Sequence, residues 1–560
     1  MSRDQRKHDL HRTLVHEGFE RDRAEAGKFR YVGKLRAAGH SVSVAITFPD
    51  LEFTRLPSAT LLEPEEQAPN VVAHLWLSGD LCFARNEDYV LDRYNVGGTV
   101  LLCLKLAQMG IERALTHKKF EDEIANEFPQ HWQGAEFYYD LSSKGIARAK
   151  IHTVPRDSTD SCLLLADNES VLKRLVTDAR ERRRIIDASA SAVVLTTATR
   201  LTFKRDYRQP RTLADFFAWL ASVCSHDRQK LLREISRPHP KTAALFINAP
   251  NGCVGITVAP SSPVLKAAQR SEGLARLLDA HASKTPVERY SGARIDLKHI
   301  FSRNMNNQEP ILGKNIALVG CGTIGSHLAK LLLQSGAGHG GGTLLLLDNQ
   351  MLQPGNVGRH FLGTRSIGEY KASALRAELV RLFSDANIVP ITADAVHYFD
   401  HLRGYDLVID ATGEEALSFS INDYFVRLRS KGKAPDVLHV YLFGNGAAAQ
   451  SLLVKSFDYA CLKCQKPDAG GRRYNDPLRA EAKAVLTPAA CGEGLYIRYG
   501  VAAPIMAAAL ALQVVLDWNT GNAAPLLRTI RIDPGATIEI KNKNPAYSKS
   551  CPACHEFHNK

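Results

Sequence analysis

Two pairs of closely spaced cysteines are the clearest candidates for chemistry in the 560-residue chain. Cys461 and Cys464 form one Cys-x-x-Cys pair, and Cys551 and Cys554 form the other. A two-residue spacer lets both thiolates of a pair bind one metal ion, and four thiolates complete the tetrahedral shell of a structural zinc site. Redox-active dithiols are the alternative for such pairs. The spacing favours Zn²⁺, bound so that the carboxyl terminus is tied back to an earlier part of the chain.

A glycine-rich loop provides a second candidate site, for an anionic ligand. The apolar segment 316–319 runs into Gly320, Gly322 and Gly325, and a helical pattern follows. Glycines permit a tight turn, and the helix amino terminus adds about half a positive charge that attracts phosphate. Asp348 follows a second apolar segment, where a carboxylate can accept hydrogen bonds from a ribose. Alone, these features predict a dinucleotide-binding loop.

Polar side chains after Asp348 change that interpretation. Asn356, Arg359 and Lys371 supply an amide, a guanidinium and an ammonium within a short stretch. A hydride-transfer enzyme has little need of such a cluster, whereas a triphosphate needs fixed cations to match the charge that develops on its phosphates. The order of glycine loop, acid and cations therefore favours ATP over a nicotinamide cofactor.

In this part of the chain the sequence resembles the adenylation domain of the ubiquitin-activating family, which includes the bacterial activators of sulfur-carrier proteins. The resemblance rests on four stretches, which occur in the order GCGTIGSHLAKLLLQSGAG, LLLLDNQMLQPGNVGRHFLG, IGEYKASAL and DLVIDATG. It implies that Asp348 holds the ATP ribose and that Asp410 lies near Mg²⁺. It also implies that the phosphates are contacted by Asn356, Arg359 and Lys371.

Two details of the resemblance are less regular. The family often has an acidic residue directly after the Asp-x-Thr of the last stretch, whereas here Gly413 stands there and Glu414 follows. The family also supplies an arginine to the nucleotide of a neighbouring subunit. Arg303 occupies that place, with Arg289 and Arg294 as alternatives. The resemblance therefore implies a homodimer and leaves the carboxylate on the metal side open.

A cysteine between the two Cys-x-x-Cys pairs is a candidate nucleophile. Cys491 precedes a glycine-containing turn and the long apolar segment 501–516. In the family, a cysteine in this place attacks the acyl-adenylate, and a thiolate suits the role because it is strongly nucleophilic near neutral pH. The alternative for Cys491 is a buried core cysteine, which is also what we expect of Cys321 inside the glycine loop.

A second reactive cysteine is predicted near the amino terminus. The stretch HLWLSGDLC ends at Cys82 after a glycine turn, between a proline-rich passage and a helical pattern. It resembles the active-site stretch of ubiquitin-conjugating enzymes, over residues 30–125, and this implies that Cys82 accepts the thioester. The His-Pro-Asn tripeptide of the eukaryotic enzymes is absent, because Leu75 follows His74. His74 is thus only a candidate oxyanion group, and Cys103 is expected in the core.

A conjugating-like domain followed by an activating domain resembles the bacterial fusion proteins of ubiquitin-like conjugation systems, such as those encoded in CBASS anti-phage operons. The resemblance implies ATP, Mg²⁺ and Zn²⁺ as cofactors. It implies a partner protein activated at its carboxyl terminus, either a ubiquitin-like protein or a cGAS/DncV-like nucleotidyltransferase, and an acceptor protein or small amine that receives it. The catalytic residues so implied are Cys82, Cys491, Arg359 and Lys371.

The elements that must position these residues divide the chain into three predicted domains. Residues 1–155 contain strand-like alternation at 41–48 and a helical stretch at 100–110, an α+β pattern that suits the conjugating-like domain. Residues 156–300 form a mixed middle domain whose role the sequence leaves open. Residues 301–560 alternate strands and helices, which predicts a Rossmann-like α/β adenylation domain with a parallel, doubly wound sheet.

Composition narrows the class further. With 45% hydrophobic and 23% charged residues, the chain is not mainly disordered, collagenous or coiled coil. The formal net charge of +12 is mild for this length, and a recognisable nucleic-acid module is lacking. The charged amino terminus shows no apolar signal segment, and segment 501–516 is too short to span a membrane. We therefore expect a cytoplasmic protein that binds neither nucleic acid nor membranes.

Three rival interpretations differ in what they predict. A sulfur-carrier-type adenylyltransferase, whose amino-terminal domain only binds a partner, would still form product after Cys82→Ala. A NAD-dependent oxidoreductase would bind NAD(H) and would not exchange pyrophosphate into ATP. A non-catalytic nucleic-acid-binding scaffold rests only on the net charge.

Overall fold

Two units make up the chain. The first holds residues 1–169 and 185–294, and the second holds residues 170–184 and 295–560, so the chain passes between them three times. In the computed structural model, the described residues are 1–23, 29–37, 39–63, 75, 79–84, 88–116, 120–157, 159–204, 208–237, 242–260, 271–466, 468, 471–482, 485–488 and 495–558.

The amino-terminal part of the first unit is an antiparallel sheet with helices. Its strands pair in chain order, β1 to β5: Glu20–Asp22, Phe29–Ala37, His40–Phe48, Ser58–Leu61 and Asp80–Leu81. Helices α1 (Arg3–His16) and α2 (Val96–Thr116) share one apolar core with this sheet. The strand predicted at 41–48 and the helix predicted at 100–110 are confirmed within β3 and α2.

A closed seven-stranded barrel follows in the same unit. Its strands are β6 (Ala135–Asp140), β7 (Gly145–Pro155), β8 (Ser161–Ala166), β9 (Ala190–Thr196), β10 (Ala243–Ala249), β11 (Gly252–Val258) and β12 (Glu288–Arg294), and they pair in the order β10-β11-β12-β6-β8-β7-β9. Helices in this stretch of the chain are α3 (Phe120–Asn126), α4 (Phe128–Trp132), α5 (Leu172–Leu175), α6 (Ala179–Asp187), α7 (Leu213–Val223), α8 (Arg228–Ile235) and α9 (Ser271–Ala280).

The barrel takes in residues that the sequence analysis assigned to the first domain. Strand β6 pairs with β8 and β12, and β7 pairs with β8 and β9. The barrel therefore begins at residue 135, upstream of the boundary predicted at 155. Alternating patterns mark the strands but not their partners, so pairing across this boundary was not visible in the sequence.

The segment 170–184 is fastened within the second unit although it lies between two barrel strands in the chain. Arg174 of α5 donates to the Asp385 carboxylate at 2.7 Å. Asp178 caps α6, because its carboxylate accepts hydrogen bonds from two backbone amides of the first turn at 2.6 and 3.1 Å. The basic run 180–184 therefore lies in a capped helix.

A seven-stranded sheet forms the centre of the second unit. Its strands are β13 (Asn315–Val319), β14 (Thr343–Leu347), β15 (Ile388–Ile391), β16 (Leu407–Asp410), β17 (Asp436–Phe443), β18 (Ala448–Val454) and β21 (Leu527–Arg531), and they pair in the order β15-β14-β13-β16-β17-β18-β21. A short hairpin is formed by β19 (Leu486–Pro488) and β20 (Leu495–Ile497). The helices are α10 (Leu297–Ser302), α11 (Thr323–Gln334), α12 (Lys371–Leu382), α13 (Glu415–Ser430) and α14 (Ala502–Asn519).

Apolar cores lie on both faces of this sheet, as a doubly wound fold requires. Alternate residues of β13 point to opposite faces: Ile316 and Leu318 share a core with α11, α12 and α14, whereas Ala317 and Val319 share a core with α13. Helix α14 is long and apolar enough to cross a membrane by length and composition, but half of it is buried in the unit, as in a core helix.

The prediction that the sheet is parallel is correct for five strands and wrong for two. Strands β13 to β17 are parallel, whereas β18 and β21 are antiparallel. The connection between β17 and β18 is a short turn that contains Gly444 and Gly446, both with positive φ. Parallel strands need a crossover of about a dozen residues, so this turn can only reverse the chain.

Candidate active site

The glycine loop joins β13 to α11 and packs without room for side chains at two positions. At Gly325 an added Cβ would lie 1.9 Å from the backbone oxygen of Gly320, and at Gly320 it would lie 2.8 Å from the backbone of Thr412. At Gly322, which directly precedes α11, an added Cβ would meet open space. Two glycines thus allow the loop to close on its surroundings, and the third leaves room for a ligand at the helix amino terminus.

Two side chains form hydrogen bonds with the backbone of Cys321. Its N–H donates to Asp348 Oδ2 at 2.8 Å, and its carbonyl accepts from His360 Nε2 at 2.7 Å. The backbone N–H of Leu362 donates to His360 Nδ1 at 3.0 Å, which fixes Nε2 as the donor. Burial raises the pKa of the Cys321 thiol well above its usual value, in agreement with the predicted packing role. Asp348 therefore positions the loop, and each of its oxygens keeps a further lone pair for a ribose hydroxyl.

We expect the second unit to lose stability as the pH falls from about 6.5 to about 4. Burial lowers the pKa of His360 to about 4, so the folded chain keeps it neutral where an unfolded chain would already be protonated. The stability is fully present above the unfolded pKa and declines below it, by about 3 kcal/mol once the folded pKa is reached. Denaturant unfolding at pH 5.0 and 7.5 measures the difference.

The matched variants for this prediction are His360→Gln and His397→Gln. His397 is exposed, so its replacement should leave the pH dependence unchanged. His360→Gln keeps a donor for the Cys321 carbonyl but cannot be protonated, and should flatten the decline. An equally steep decline in both variants would show that another group carries it.

Lys371 is a buried cation at the start of α12. Its side chain is 6% exposed, and Nζ donates to Gln350 Oε1 at 2.7 Å. Since Gln350 is neutral, this contact satisfies a hydrogen bond without balancing the charge. A buried ammonium is costly unless it is paired, so Lys371 is suited to an anionic ligand.

Arg359 and Asn356 lie in a 3₁₀ turn, Pro354–Arg359. The Arg359 guanidinium lies 4.4 Å from the centre of the Tyr499 ring and donates through Nη1 to the Ile497 carbonyl at 3.3 Å. Its buried Nε has no hydrogen-bond partner among the described residues. Asn356 Oδ1 accepts from the backbone N–H of Gln353, directly before the turn, at 3.0 Å. Asn356 shapes the turn, and Arg359 retains a donor.

Tyr499 joins parts of the site that are far apart in the sequence. Its hydroxyl lies 3.1 Å from Thr323 Oγ1, in the first turn of α11, and its ring carries the Arg359 guanidinium. His327 of the same helix lies 3.3 Å from the Arg359 carbonyl through Nε2. Sequence reasoning missed Tyr499, His327 and His360, because no local pattern distinguishes them from packing residues.

Asp410 lies at the carboxyl end of β16 in a buried cluster. His439 Nδ1 lies 2.7 Å from its Oδ2, and Thr412 donates to its Oδ1 through N–H and Oγ1–H at 3.1 and 2.7 Å. Burial by itself would raise the pKa of Asp410, but these bonds, the charge of His439 and a further bond from Ser418 hold it below its usual value. Both of its oxygens accept hydrogen bonds and the residue is 2% exposed, so the orientation of the carboxylate at the end of β16 is fixed.

Of three other predicted residues, the structure describes Arg303 only. Arg303 is exposed directly after α10, and none of the contacts between described residues joins it to the loop. His74 and Cys491 lie outside the described residues. Glu414, the acidic residue that follows Gly413, is exposed beside the Asp410 turn.

Cys82 is exposed at the end of the short strand β5. The turn before it depends on Gly79, whose φ is +85° and where an added Cβ would lie 2.5 Å from the Leu61 carbonyl oxygen. The Gly79 carbonyl in turn accepts from the Leu61 N–H at 2.7 Å. Cys103 of α2, by contrast, is 1% exposed and burial raises its pKa to about 12, as expected for a core thiol. The geometry presents Cys82, and not Cys103, to a reaction partner.

Cys461, Cys464, Cys551 and Cys554 form one buried cluster whose ligand atoms all lie within 4.8 Å of one another. The Sγ–Sγ distances are 3.8 Å for Cys461–Cys464, 3.8 Å for Cys461–Cys551 and 3.4 Å for Cys464–Cys554. These are too long for disulfide bonds, which are about 2.05 Å. The cluster can therefore hold a metal ion, as predicted.

Comparison with known proteins places two families on separate parts of the chain. Residues 7–139 match the prokaryotic E2 family B, and residues 295–552 match the ThiF family. The crystal structure of E. coli MccB with ATP aligns with 43% of this chain and 66% of its own, at 19% identity and a TM-score of 0.33.

Two relatives match almost the whole chain. The ATP-dependent ubiquitin transferase-like protein Cap2 of Pseudomonas aeruginosa is 31% identical over 522 residues, which are 90% of each chain. The Vibrio cholerae protein of the same name is 26% identical over an alignment of 601 residues, covering 95% of this chain and 99% of its own. The two family matches, and the similarity to the Pseudomonas aeruginosa protein over 90% of the chain, show the family. The chain belongs to the ATP-dependent ubiquitin transferase-like proteins named Cap2.

Proposed function

We propose that this protein uses ATP to activate the carboxyl terminus of a partner protein and then conjugates that terminus to an amine. The observation that carries the proposal is the presence in one chain of an anion-accepting glycine loop, beside a buried Lys371, and an exposed Cys82 at the end of a conjugating-type strand. The first feature suits adenylation and the second suits acyl transfer.

The reaction proceeds by four displacements. A carboxylate oxygen of the partner attacks the α-phosphorus of ATP, and the bond to the β-phosphate oxygen breaks to release pyrophosphate. The thiolate of Cys491 attacks the acyl carbon of the adenylate and AMP leaves. The thiolate of Cys82 takes over the acyl group, and Cys491 leaves as a thiolate. A primary amine then attacks the Cys82 thioester, forms an amide and releases the Cys82 thiol.

The geometry of the glycine loop and its neighbours supports the nucleotide contacts that we propose. Gly320, Gly322 and Gly325 shape the loop that approaches the phosphates, and Asp348 accepts from the ribose. The charges of Lys371 and Arg359 act on the phosphates together with the Asn356 amide.

Two further contacts of the nucleotide are proposed, one with Mg²⁺ and one with a second subunit. Mg²⁺ would accompany ATP, and Asp410, which accepts two hydrogen bonds from Thr412, is the carboxylate we place near it. Arg303, which is exposed, is the side chain we assign to the nucleotide of a second subunit.

The partners follow from the chemistry and from the family. A ubiquitin-like protein or a cGAS/DncV-like nucleotidyltransferase of a CBASS operon would present the carboxyl terminus, and the acceptor would be a protein or a small amine. The names of the Cap2 relatives, ATP-dependent ubiquitin transferase-like, support this assignment. ATP as the substrate fits a cytoplasmic reaction in anti-phage defence.

ATP–pyrophosphate exchange tests the proposed function. The purified chain is incubated with ATP, labelled pyrophosphate and the candidate partner, with and without the partner's last residues. We expect label to enter ATP only with the intact carboxyl terminus. Exchange that is equally fast without the partner's last residues would contradict the proposal. NAD(H) binding without exchange would also contradict it. Product formation that survives Cys82→Ala would instead indicate the sulfur-carrier-type adenylyltransferase.

We expect about one Zn²⁺ per chain at the four-cysteine cluster. Zn–S distances of about 2.3 Å give a tetrahedron with sulfur separations of about 3.8 Å, which the two 3.8 Å pairs match. Side-chain and backbone N–H groups of Asn422 and Ser548 donate to Cys461 and Cys464 at 3.6 and 3.5 Å, as is usual around metal-bound thiolates.

Metal analysis by mass spectrometry measures this prediction. Cys551→Ser should lose most of the zinc and lower the unfolding temperature of the second unit, whereas Cys162→Ser, outside the cluster, should change neither. Full zinc retention after replacement of either Cys-x-x-Cys pair would rule out a shared site.

A homodimer is the assembly we expect. Val501, Ile505 and Met506 are each 41–42% exposed at the start of α14, where apolar side chains form a stripe that a second copy can cover. Light scattering with ATP at micromolar concentration should give about twice the monomer mass, and Ile505→Asp should reduce it. A monomer mass for the unaltered chain would contradict the assembly.

A further inference from the structure

A cavity of about 380 Å³ opens beside the 3₁₀ turn of Arg359. The residues that line it come from that turn and from the segment before α14: Gly355, Gly358, Arg359, Arg498, Tyr499 and Gly500. Both charged side chains among these described residues are arginines. The cavity is therefore cationic, and Arg498 was not among the residues that the sequence analysis singled out.

Three glycines keep the cavity open. At Gly355, Gly358 and Gly500 an added Cβ would meet nothing within 4 Å, and none of the three has a positive φ. Neither packing nor backbone geometry requires glycine there. What glycine provides at these positions is empty volume and accessible backbone, as in loops that approach phosphate groups.

The backbone that carries Arg498 is fixed. Asn445 Nδ2 donates to the Arg498 carbonyl at 2.9 Å, and the next residue, Tyr499, contacts both Thr323 and Arg359. The Arg498 side chain is exposed at the cavity. A guanidinium on a fixed backbone loses less freedom when it binds, and its fork of donors matches phosphate oxygens.

We propose that this cavity binds the pyrophosphate part of the nucleotide, and that Arg498 is a second cationic contact there beside Arg359. The inference rests on the proposed function and adds a residue to it. When the partner's carboxylate attacks the α-phosphorus, the bonding electrons of the broken P–O bond stay on the leaving pyrophosphate. Two guanidiniums match that developing negative charge better than one. Tyr499, whose ring contacts the Arg359 guanidinium, is a positioning residue.

The test compares Arg498→Ala, Arg498→Lys and Arg381→Ala in the full-length protein. Arg381 is an exposed arginine of α12 that pairs with Glu378, so it controls for the loss of one surface charge. In ATP–pyrophosphate exchange, Arg498→Ala should raise the half-saturating pyrophosphate concentration about 10-fold or more, with a smaller change for the partner protein. Arg498→Lys should recover part of the affinity, and Arg381→Ala should match the unaltered chain.

Direct binding separates this inference from the proposed function. Calorimetry with inorganic pyrophosphate and Mg²⁺ needs no partner, so it gives an answer even where exchange fails in the unaltered chain. Weaker pyrophosphate binding in Arg498→Ala, with an unchanged unfolding temperature, supports the inference. Equal pyrophosphate affinity in the unaltered chain and Arg498→Ala, or an equal loss in Arg381→Ala, would overturn it.

Discussion

The Cys82→Ala variant is expected to accumulate a thioester on Cys491 and to lose conjugation to the target. The Cys491→Ala variant is expected to form the adenylate but no reducible thioester at any position. Only a thiol next to the adenylate can capture it, while the second thiol needs an ester that is already activated. Removal of a nucleophile costs roughly three or more orders of magnitude in rate, so each loss should be complete on a gel.

Non-reducing gels of both variants, incubated with partner and ATP, measure this order. Cys103→Ala is the matched control, because that thiol is buried in the same part of the first unit and should be dispensable. A thioester on Cys82 in the absence of Cys491 would reverse the proposed sequence of transfers.

The nucleotide loop was predictable because its determinants are local. The strand 315–319, the three loop glycines and the helix that follows occupy one short stretch, and each has a pattern of its own. The same holds for β14 and α12, because the apolar run at 343–347 and the helical pattern at 371–382 are also local. The residues that a turn requires lie within the turn itself, so a short stretch of sequence is enough to predict it.

The residues that support the loop were not predictable for the opposite reason. Tyr499 reaches Thr323 across 176 positions of the chain, and His360 reaches Cys321 across 39. No regular sequence spacing relates a tyrosine or a histidine to a contact partner so far away in the chain. Its role follows from the sheet topology, which brings the segment before α14 against α11.

The barrel illustrates the same limit at the level of a domain. The apolar periodicity of α7 and the apolar run of β10 are local patterns of this kind. Closure depends on β6 lying between β12 and β8, a pairing of strands far apart in the chain. Amphipathic periodicity indicates which face of a strand is buried but does not name its neighbour.

The clearest electrostatic difference from the sequence interpretation concerns Asp410. The sequence analysis treated it as a carboxylate near Mg²⁺, because an acid at the end of a central strand commonly serves a ligand. In the structure His439, at the paired position of β17, lies against that carboxylate. This contact with a neighbouring strand was not visible in the sequence, and the place of Asp410 near Mg²⁺ stays a prediction.

Lys371→Ala should lower ATP–pyrophosphate exchange by about two to three orders of magnitude, and Arg359→Ala should do the same. Each removes a charge-assisted contact to phosphate, worth about 3 kcal/mol of transition-state stabilisation at comparable sites. The expectation is sharpest for Lys371, because its recorded side-chain partner, Gln350, is neutral and leaves the charge for the ligand. Transfer from a thioester that has already formed should be unaffected, since no phosphate takes part in that step.

Two comparisons make the Lys371 result specific. Lys431→Ala removes an exposed lysine from the same unit and should leave exchange unchanged. Lys371→Met keeps the buried side-chain volume without the charge, so it should lose exchange as strongly as Lys371→Ala while keeping the unfolding temperature of the unaltered chain, because an unpaired buried charge is itself costly. If exchange survives in Lys371→Met, the ammonium does not act on the phosphates, and the nucleotide lies elsewhere than at the glycine loop.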